Sequence, residues 1–168
     1  HPLPAGTALM VVLNTGGTFN KRYDPVHGEL FVPADDASVE AVLGTLAEPS
    51  AIRGLIYKDS LEMTDADRAE LCEAVASTKE ERIVVVHGTD TMDLSAAAVA
   101  AMKFPKTVVF TGAMVPLSID PVEATANLAM AIGYARNAGA GVHIVMQGVC
   151  GSCDEVRKNR ELGKFEHV

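Results

Sequence analysis

The chain has 168 residues, 48% hydrophobic, 21% charged and 5% aromatic with no Trp, and it sets 14 Lys and Arg against 22 Asp and Glu for a formal net charge of −8. That length suits one domain with a buried core, and an acidic surface without a basic stripe argues against nucleic acid or anionic membrane as partner. No apolar run approaches the ~20 residues that span a bilayer, the His1–Thr7 segment lacks the order of an intact signal peptide, and 3 Cys are too few for a disulfide scaffold, which points to a reducing, cytoplasmic compartment.

Short apolar runs alternate with amphipathic segments, the pattern of βα units on a mostly parallel sheet. The first strand is expected at Ala8–Asn14, and the polar stretch Phe19–Val32, broken by Gly and Pro, reads as a long loop or loose hairpin beside it. A helix over Asp36–Ala47 stops before Pro49, and a second strand follows at Ala51–Tyr57. The helix Asp65–Ser77 is preceded by Thr64, with Asp67 placed for a weak capping box. Next come a strand at Arg82–His87, a helix at Thr91–Met102 and a strand at Thr107–Phe110. Pro121–Asn137 has the fullest helix signature, with Asp120 as N-cap, Pro121 at N1, Glu123 at N3 and Gly139 beyond its end. A last strand is expected at Val142–Met146. No repeat, low-complexity tract or linker divides the chain, so a single α/β domain over residues 1–168 is expected. Its fold class is three-layer, a mostly parallel sheet with helices on both faces, Rossmann-like or flavodoxin-like.

Ligands of doubly wound sheets bind beyond the carboxyl ends of the strands, and those ends are hydroxyl-rich and charged here. They offer Thr15-Gly16-Gly17-Thr18, then Asp59-Ser60, His87-Gly88-Thr89-Asp90-Thr91-Met92, Thr111-Gly112-Ala113-Met114 and the segment Gln147–Lys158. Two glycines after a strand let the backbone present the next hydroxyl with little steric cover, although an ordinary Gly-Gly turn reads the same way. No G-K-[S/T] follows, and no G-x-G-x-x-G is present, so phosphate cradling is not expected. Asp90 or Thr91 alone would serve as a helix cap, but capping does not require Thr89 beside Asp90. A lone His at a strand end is more often structural, and His87 is read so; with no second His at ligand spacing, no metal site is expected.

Thr15–Phe19 (T-G-G-T-F), His87–Met92 (H-G-T-D-T-M) and Thr111–Met114 (T-G-A-M) stand in the order and approximate spacing of motifs in the bacterial-type asparaginases, whose N-terminal domain the chain resembles along nearly its whole length. The resemblance implies an amidohydrolase that releases ammonia from the side-chain amide of asparagine or glutamine through a Thr nucleophile, without a cofactor. It makes Thr18 the nucleophile, next to Gly17 in the substrate pocket, and Tyr23 the nearest candidate for the assisting loop tyrosine. Ser60, in Ser60-Leu61-Glu62-Met63, would hold the α-carboxylate, Asp90 the α-ammonium, and the Ala113 carbonyl the side-chain amide. Thr89 would be the second hydroxyl, paired with Lys158 in Glu155-Val156-Arg157-Lys158. The chemistry is coherent, because a Thr hydroxyl needs an adjacent base and a Lys supplies one where burial or a nearby cation lowers its pKa. The resemblance also implies a homo-oligomer, a dimer or tetramer, whose partner is a small amino-acid amide.

Other readings stand beside these. Lys158 alone can also be read as a solvated base within Arg157–Arg160 and Ser60 as a loop hydroxyl, while Tyr23 reads better as an ordinary loop tyrosine. The chain departs from the family pattern at Val115, where relatives carry Arg after G-A-M, in the stretched segment Asp120–Leu128, and in lacking the family's C-terminal domain. These departures leave open a catalytically weak or inactive amino-acid-binding or scaffold domain. Cys150-Gly151-Ser152-Cys153 leaves a thiol redox or zinc role open as well, against a plain reduced loop pair.

Overall fold

The computed structural model describes residues 10–48 and 50–168, so the expected strand start at Ala8 and the residue Pro49 lie outside the described residues. Along the chain come β1 (Met10–Gly16), a short helical turn (Thr18–Asn20), β2 (Arg22–Asp24), β3 (Glu29–Phe31), α1 (Ala37–Leu43), β4 (Ala51–Lys58) and a second helical turn (Ser60–Glu62). Then follow α2 (Asp65–Ser77), β5 (Arg82–Val86), α3 (Met92–Ala101), β6 (Thr107–Thr111) and α4 (Pro121–Asn137). The chain closes with β7 (Gly141–Met146), β8 (Val149–Ser152), β9 (Val156–Asn159) and β10 (Lys164–His167).

The main sheet has six strands in the order β4-β1-β5-β6-β7-β8. Every pairing in it is parallel except β7 with β8. Successive strand side chains point to opposite faces, and the two cores separate accordingly. Val11, Leu13, Ile83, Val85 and Phe110 pack under Leu71 and Val75 of α2 and Ala96 and Val99 of α3. Val12, Val84, Val86 and Val109 pack under Val39 and Val42 of α1 and Leu128 and Ile132 of α4. Coverage on both faces explains why the strands read as unbroken apolar runs, and the α/β three-layer class is the one observed.

Thr64 and Asp67 form the full capping box at α2, and Asp120 accepts from the Val122 N–H at α4. Phe19–Val32 is a hairpin of β2 and β3. The expected helix Asp36–Ala47 is shorter, because after Leu43 the chain tightens: Thr45 N–H bonds Val42 O and Leu46 N–H bonds Leu43 O, each three residues back. The segment Gln147–Lys158, expected as a loop, is mostly strand. Gln147 and Gly148, at φ 55° and 81°, make a two-residue turn with positive φ at both positions, the connection that matches strand twist and folds β8 back on β7. Among the described residues, no helix is long and apolar enough to cross a membrane.

Candidate active site

The carboxyl ends of β1, β4, β5 and β6 meet through glycines. Gly17 stands at φ 73°, ψ −171°, backbone space open essentially to glycine alone. A Cβ there would lie 2.5 Å from both Cα and N of Gly88. Gly88 in turn lies under Ser60, whose Cβ would be 2.5 Å from a Cβ on Gly88, and a Cβ on Gly112 would strike the His87 carbonyl at 2.3 Å. The two contacting glycines are each followed by a threonine, Thr18 and Thr89, which brings the two hydroxyl-bearing residues off adjacent strand tips.

The Thr18 turn is fixed from several sides. Phe19 is fully buried against the α1 and α4 core. Asn20 donates to the Pro33 and Asp35 carbonyls, each at 2.9 Å. Asn14, buried at the end of β1, donates to Asn20 at 3.3 Å and to Asp36 at 3.0 Å, and Tyr57 also donates to Asp36 at 3.0 Å. Burial and the neighbouring Asp36 push the Tyr57 phenol up to about 12, so it stays a donor. Lys21 pairs with Asp59 at 2.8 Å, tying this turn to the Ser60 segment. The Thr18 hydroxyl itself makes no hydrogen bond to any described residue. The Gly17 N–H is engaged by the Lys58 carbonyl at 2.9 Å, so Gly17 shapes the site by its missing side chain.

The polar cluster gathers on Asp90. Lys158, on β9 and only 14% exposed in its side chain, places Nζ 2.8 Å from Asp90 Oδ1 and donates to Thr89 Oγ1 at 2.9 Å. This is a held, largely buried ammonium and not a solvated one. Asp90 and Thr91 do not cap α3 with their side chains, since Thr91 Oγ1 donates to the Ser60 carbonyl at 2.8 Å and the Asp90 carboxylate meets Lys158. Ser60 is buried, and its Oγ accepts from the Asp90 N–H at 3.2 Å. Ala113 is buried at the tip of β6, in a loop whose next two N–H groups, of Met114 and Val115, donate to the Glu123 carboxylate at 2.9 and 3.1 Å. Tyr23 is the predicted residue that the structure does not bring in: it is 59% exposed on β2, with its hydroxyl over Gly28 across the hairpin.

Two groups escaped the sequence reading. Glu123 and Asn127, one helical turn apart on α4, hold the Gly112–Val115 loop, and Asn127 donates to the Gly112 carbonyl at 2.9 Å while accepting from the Gln147 N–H at 3.0 Å. Their spacing of four residues beside Asp120 was the available signal. Arg160 donates to the Asp90 carbonyl and stands 3.6 Å from its carboxylate; nothing in a short basic stretch marks it out.

His87 is structural, as its position suggested. It is fully buried, with Nδ1 2.7 Å from Gly88 O and Nε2 2.8 Å from Ser95 Oγ. Burial pushes its pKa from 6.5 down to about 4, because a charged ring would lose its hydration. Between those two values the unfolded chain binds the proton that the folded chain refuses, so stability falls as the pH drops from 6.5 toward 4. Across the full window the loss is on the order of 3 kcal/mol. Urea unfolding at several pH values is expected to show that slope, flattened in His87→Gln, and equal slopes in both proteins contradict it. Asp59 and Asp67 are held below the ordinary carboxylate range: burial works to raise Asp59, but Lys21 and the backbone N–H groups of Leu61 and Ser60 together outweigh it, and the Lys58 hydrogen bond leads in lowering Asp67. Both therefore titrate beneath that window.

The two thiols of the C-x-x-C segment do not form a pair. Cys150 packs on the α1 and α4 side of the sheet and Cys153 on the α2 and α3 side, and both are free with their pKa values raised by burial. That removes the basis for a thiol redox centre or half a zinc site here. Among the described residues, no group of His, Cys, Asp and Glu is placed to hold a metal ion.

A polar cavity of about 200 Å³ adjoins the cluster, lined by Thr89, Asp90, Asp93, Lys158, Arg160 and Phe165 among others. Thr18, Gly17, Ser60 and Ala113 do not line it. A more voluminous depression, about 880 Å³, is an apolar groove between α2 and α3 with none of these residues. Chemistry needs convergent polar groups, and they converge at the strand tips.

Comparison with known proteins places the fold. Residues 9–164 match the family described as "Asparaginase, N-terminal". An L-asparaginase of Thermococcus kodakarensis is 29% identical over 161 residues, 92% of this chain and 48% of that protein. A subunit of the glutamyl-tRNA(Gln) amidotransferase of Pyrobaculum aerophilum is 34% identical over 132 residues, 76% of this chain and 32% of that protein. The solved thermostable L-asparaginase from Thermococcus kodakarensis aligns with a TM-score of 0.82 at 27% identity, over 95% of this chain and 51% of that one. The chain thus spans about half or less of the length of these relatives. With motifs, fold and family match in agreement, the chain belongs to the asparaginase family, in the part that forms the family's N-terminal domain.

Proposed function

We propose that the chain hydrolyses the side-chain amide of a small amino acid, asparagine first and glutamine second, with Thr18 as nucleophile. The observation that carries this reading is the Lys158–Thr89–Asp90 cluster, in which a largely buried amine lies within 2.9 Å of both a hydroxyl and a carboxylate, beside a threonine whose hydroxyl is left free. Attack of the Thr18 oxygen on the amide carbon forms an ester and expels ammonia; water then opens the ester and regenerates the hydroxyl. Lys158 stands within proton-transfer reach of Thr89, and Asp90 fixes the amine. Ser60 and Asp90 receive the α-end of the substrate, and the Ala113 loop the amide. Relatives named as parts of a glutamyl-tRNA(Gln) amidotransferase support including glutamine among the substrates tested.

The test is ammonia release from asparagine and glutamine by the chain and by Lys158→Met. Loss of a positioned proton carrier lowers rates by about 10²–10⁴-fold, so the variant is expected to fall by that much in kcat. Unchanged turnover in Lys158→Met would overturn the assignment. Binding of either amide without any release would favour the amino-acid-binding domain instead.

A further inference from the structure

Lys158 is carried by a strand that stands outside the main sheet. β9 pairs with β10 alone, and a two-stranded ribbon by itself is marginally stable in water, so the place of the amine depends on what docks the ribbon. Val156 and Phe165 sink into the core on the α2 and α3 side, an attraction that is non-directional and fixes depth rather than register. Among the described residues, the one backbone group of β9 or β10 that bonds outside the ribbon is the Phe165 N–H, donated to Gln147 Oε1 at 2.8 Å. Phe165 stands directly opposite Lys158 in the pairing. Its N–H, turned away from β9, therefore holds the backbone from which the lysine reaches Thr89 and Asp90.

Gln147 is itself held at its N–H by Asn127 Oδ1, 3.0 Å away, and Asn127 Nδ2 donates to the Gly112 carbonyl at 2.9 Å, one residue before Ala113. Gln147 thus links the loop after β6 to the strand that presents the amine. It does so at φ 55°, where glycine is at ease and a side chain is not. A strained position whose side chain spans two parts of a site points to function beyond the making of a turn. We propose that Gln147 is a positioning residue, whose side-chain oxygen docks the ribbon and so sets Lys158 against Thr89 and Asp90. The inference rests on the proposed part of Lys158 in turnover and deepens it, while the placing of the amine is readable without turnover.

Acetylation by an amine-reactive ester, followed lysine by lysine in the mass spectrometer, tests it. Lys158, 14% exposed in its side chain, is expected to react slowly in the unaltered chain. Gln147→Met and Gln147→Gly remove the acceptor, the second while relieving the backbone, and each is expected to speed Lys158 acetylation about fivefold, the worth of one hydrogen bond that solvent partly replaces. Gln147→Glu keeps an oxygen at that place and is expected to restore protection. Lys106, held by the Val75 and Thr78 carbonyls at the opposite end of the sheet, reports general loosening and is expected to keep its rate. In ammonia release from asparagine, Gln147→Met is expected to lower kcat about fivefold with KM within about twofold, and to add nothing on top of Lys158→Met. Unchanged Lys158 acetylation, an acceleration shared by Lys106, or a loss that persists in the Lys158→Met background overturns the proposal. Faster Lys158 acetylation in a chain that releases no ammonia leaves the docking role standing and removes the enzymatic reading. Unchanged acetylation with turnover crippled by Lys158→Met does the reverse.

Discussion

Replacing Thr18 by Ala is expected to take ammonia release down to background, a loss of about 10⁴-fold or more, because no neighbouring group substitutes for a missing nucleophile. Stability should barely move. The Thr18 hydroxyl bonds no described residue, and the turn is held by Phe19, Asn20 and the Lys21–Asp59 pair. The variant therefore separates chemistry from folding in one protein. Thr18→Ser, which keeps the hydroxyl, is expected to retain measurable turnover. A Thr18→Ala rate within about tenfold of the original would remove the nucleophile from Thr18.

Gly17→Ala is expected to be the most damaging small change to the fold. Its φ of 73° with ψ of −171° is strained for any L side chain, and the new methyl would sit 2.5 Å from the Gly88 backbone, where nothing flexible can yield. The strain costs about 1–3 kcal/mol and the overpacking a similar amount, so an unfolding free energy lower by about 2–6 kcal/mol is expected in urea titration. Whatever relief the chain finds must part β1 from β5 at their tips and carry Thr18 away from Thr89, so turnover falls as well. A variant with unchanged stability would show that the two glycines do not bear on one another as described.

Much of this architecture is readable in the residues because burial on two faces leaves a plain mark. Apolar strand runs such as Ile83–Val86 and Val108–Phe110 are fully covered, and no amphipathic pattern competes with them. The helix at Pro121 is equally plain, since Asp120 and Pro121 each satisfy a separate requirement of a helix start. What escaped notice was short, polar and at the edge: β8, β9 and β10 carry four residues each, too few to establish a period, and the turn before them uses Gln147-Gly148 where Asn-Gly would have announced a hairpin. At the site, the T-G-G-T and H-G-T-D segments flagged Thr18, Thr89 and Asp90. The reach of Lys158 back to Thr89 across 69 positions is a tertiary fact that only the motif resemblance anticipated. Arg160 had no such help. A guanidinium in a run of polar residues looks solvated until the fold sets it against Asp90.

The Thr18 and Thr89 hydroxyls and Lys158 are expected to bound one space that a small amide fills. A crystal structure of the chain with L-aspartate, the product of asparagine hydrolysis, is expected to show the side-chain carboxylate within about 2.6–3.2 Å of both Thr18 Oγ1 and Thr89 Oγ1, with the α-carboxylate directed to the Ser60 segment. L-Aspartate seated elsewhere, or Thr18 Oγ1 turned away from Thr89 with the ligand in place, would contradict it.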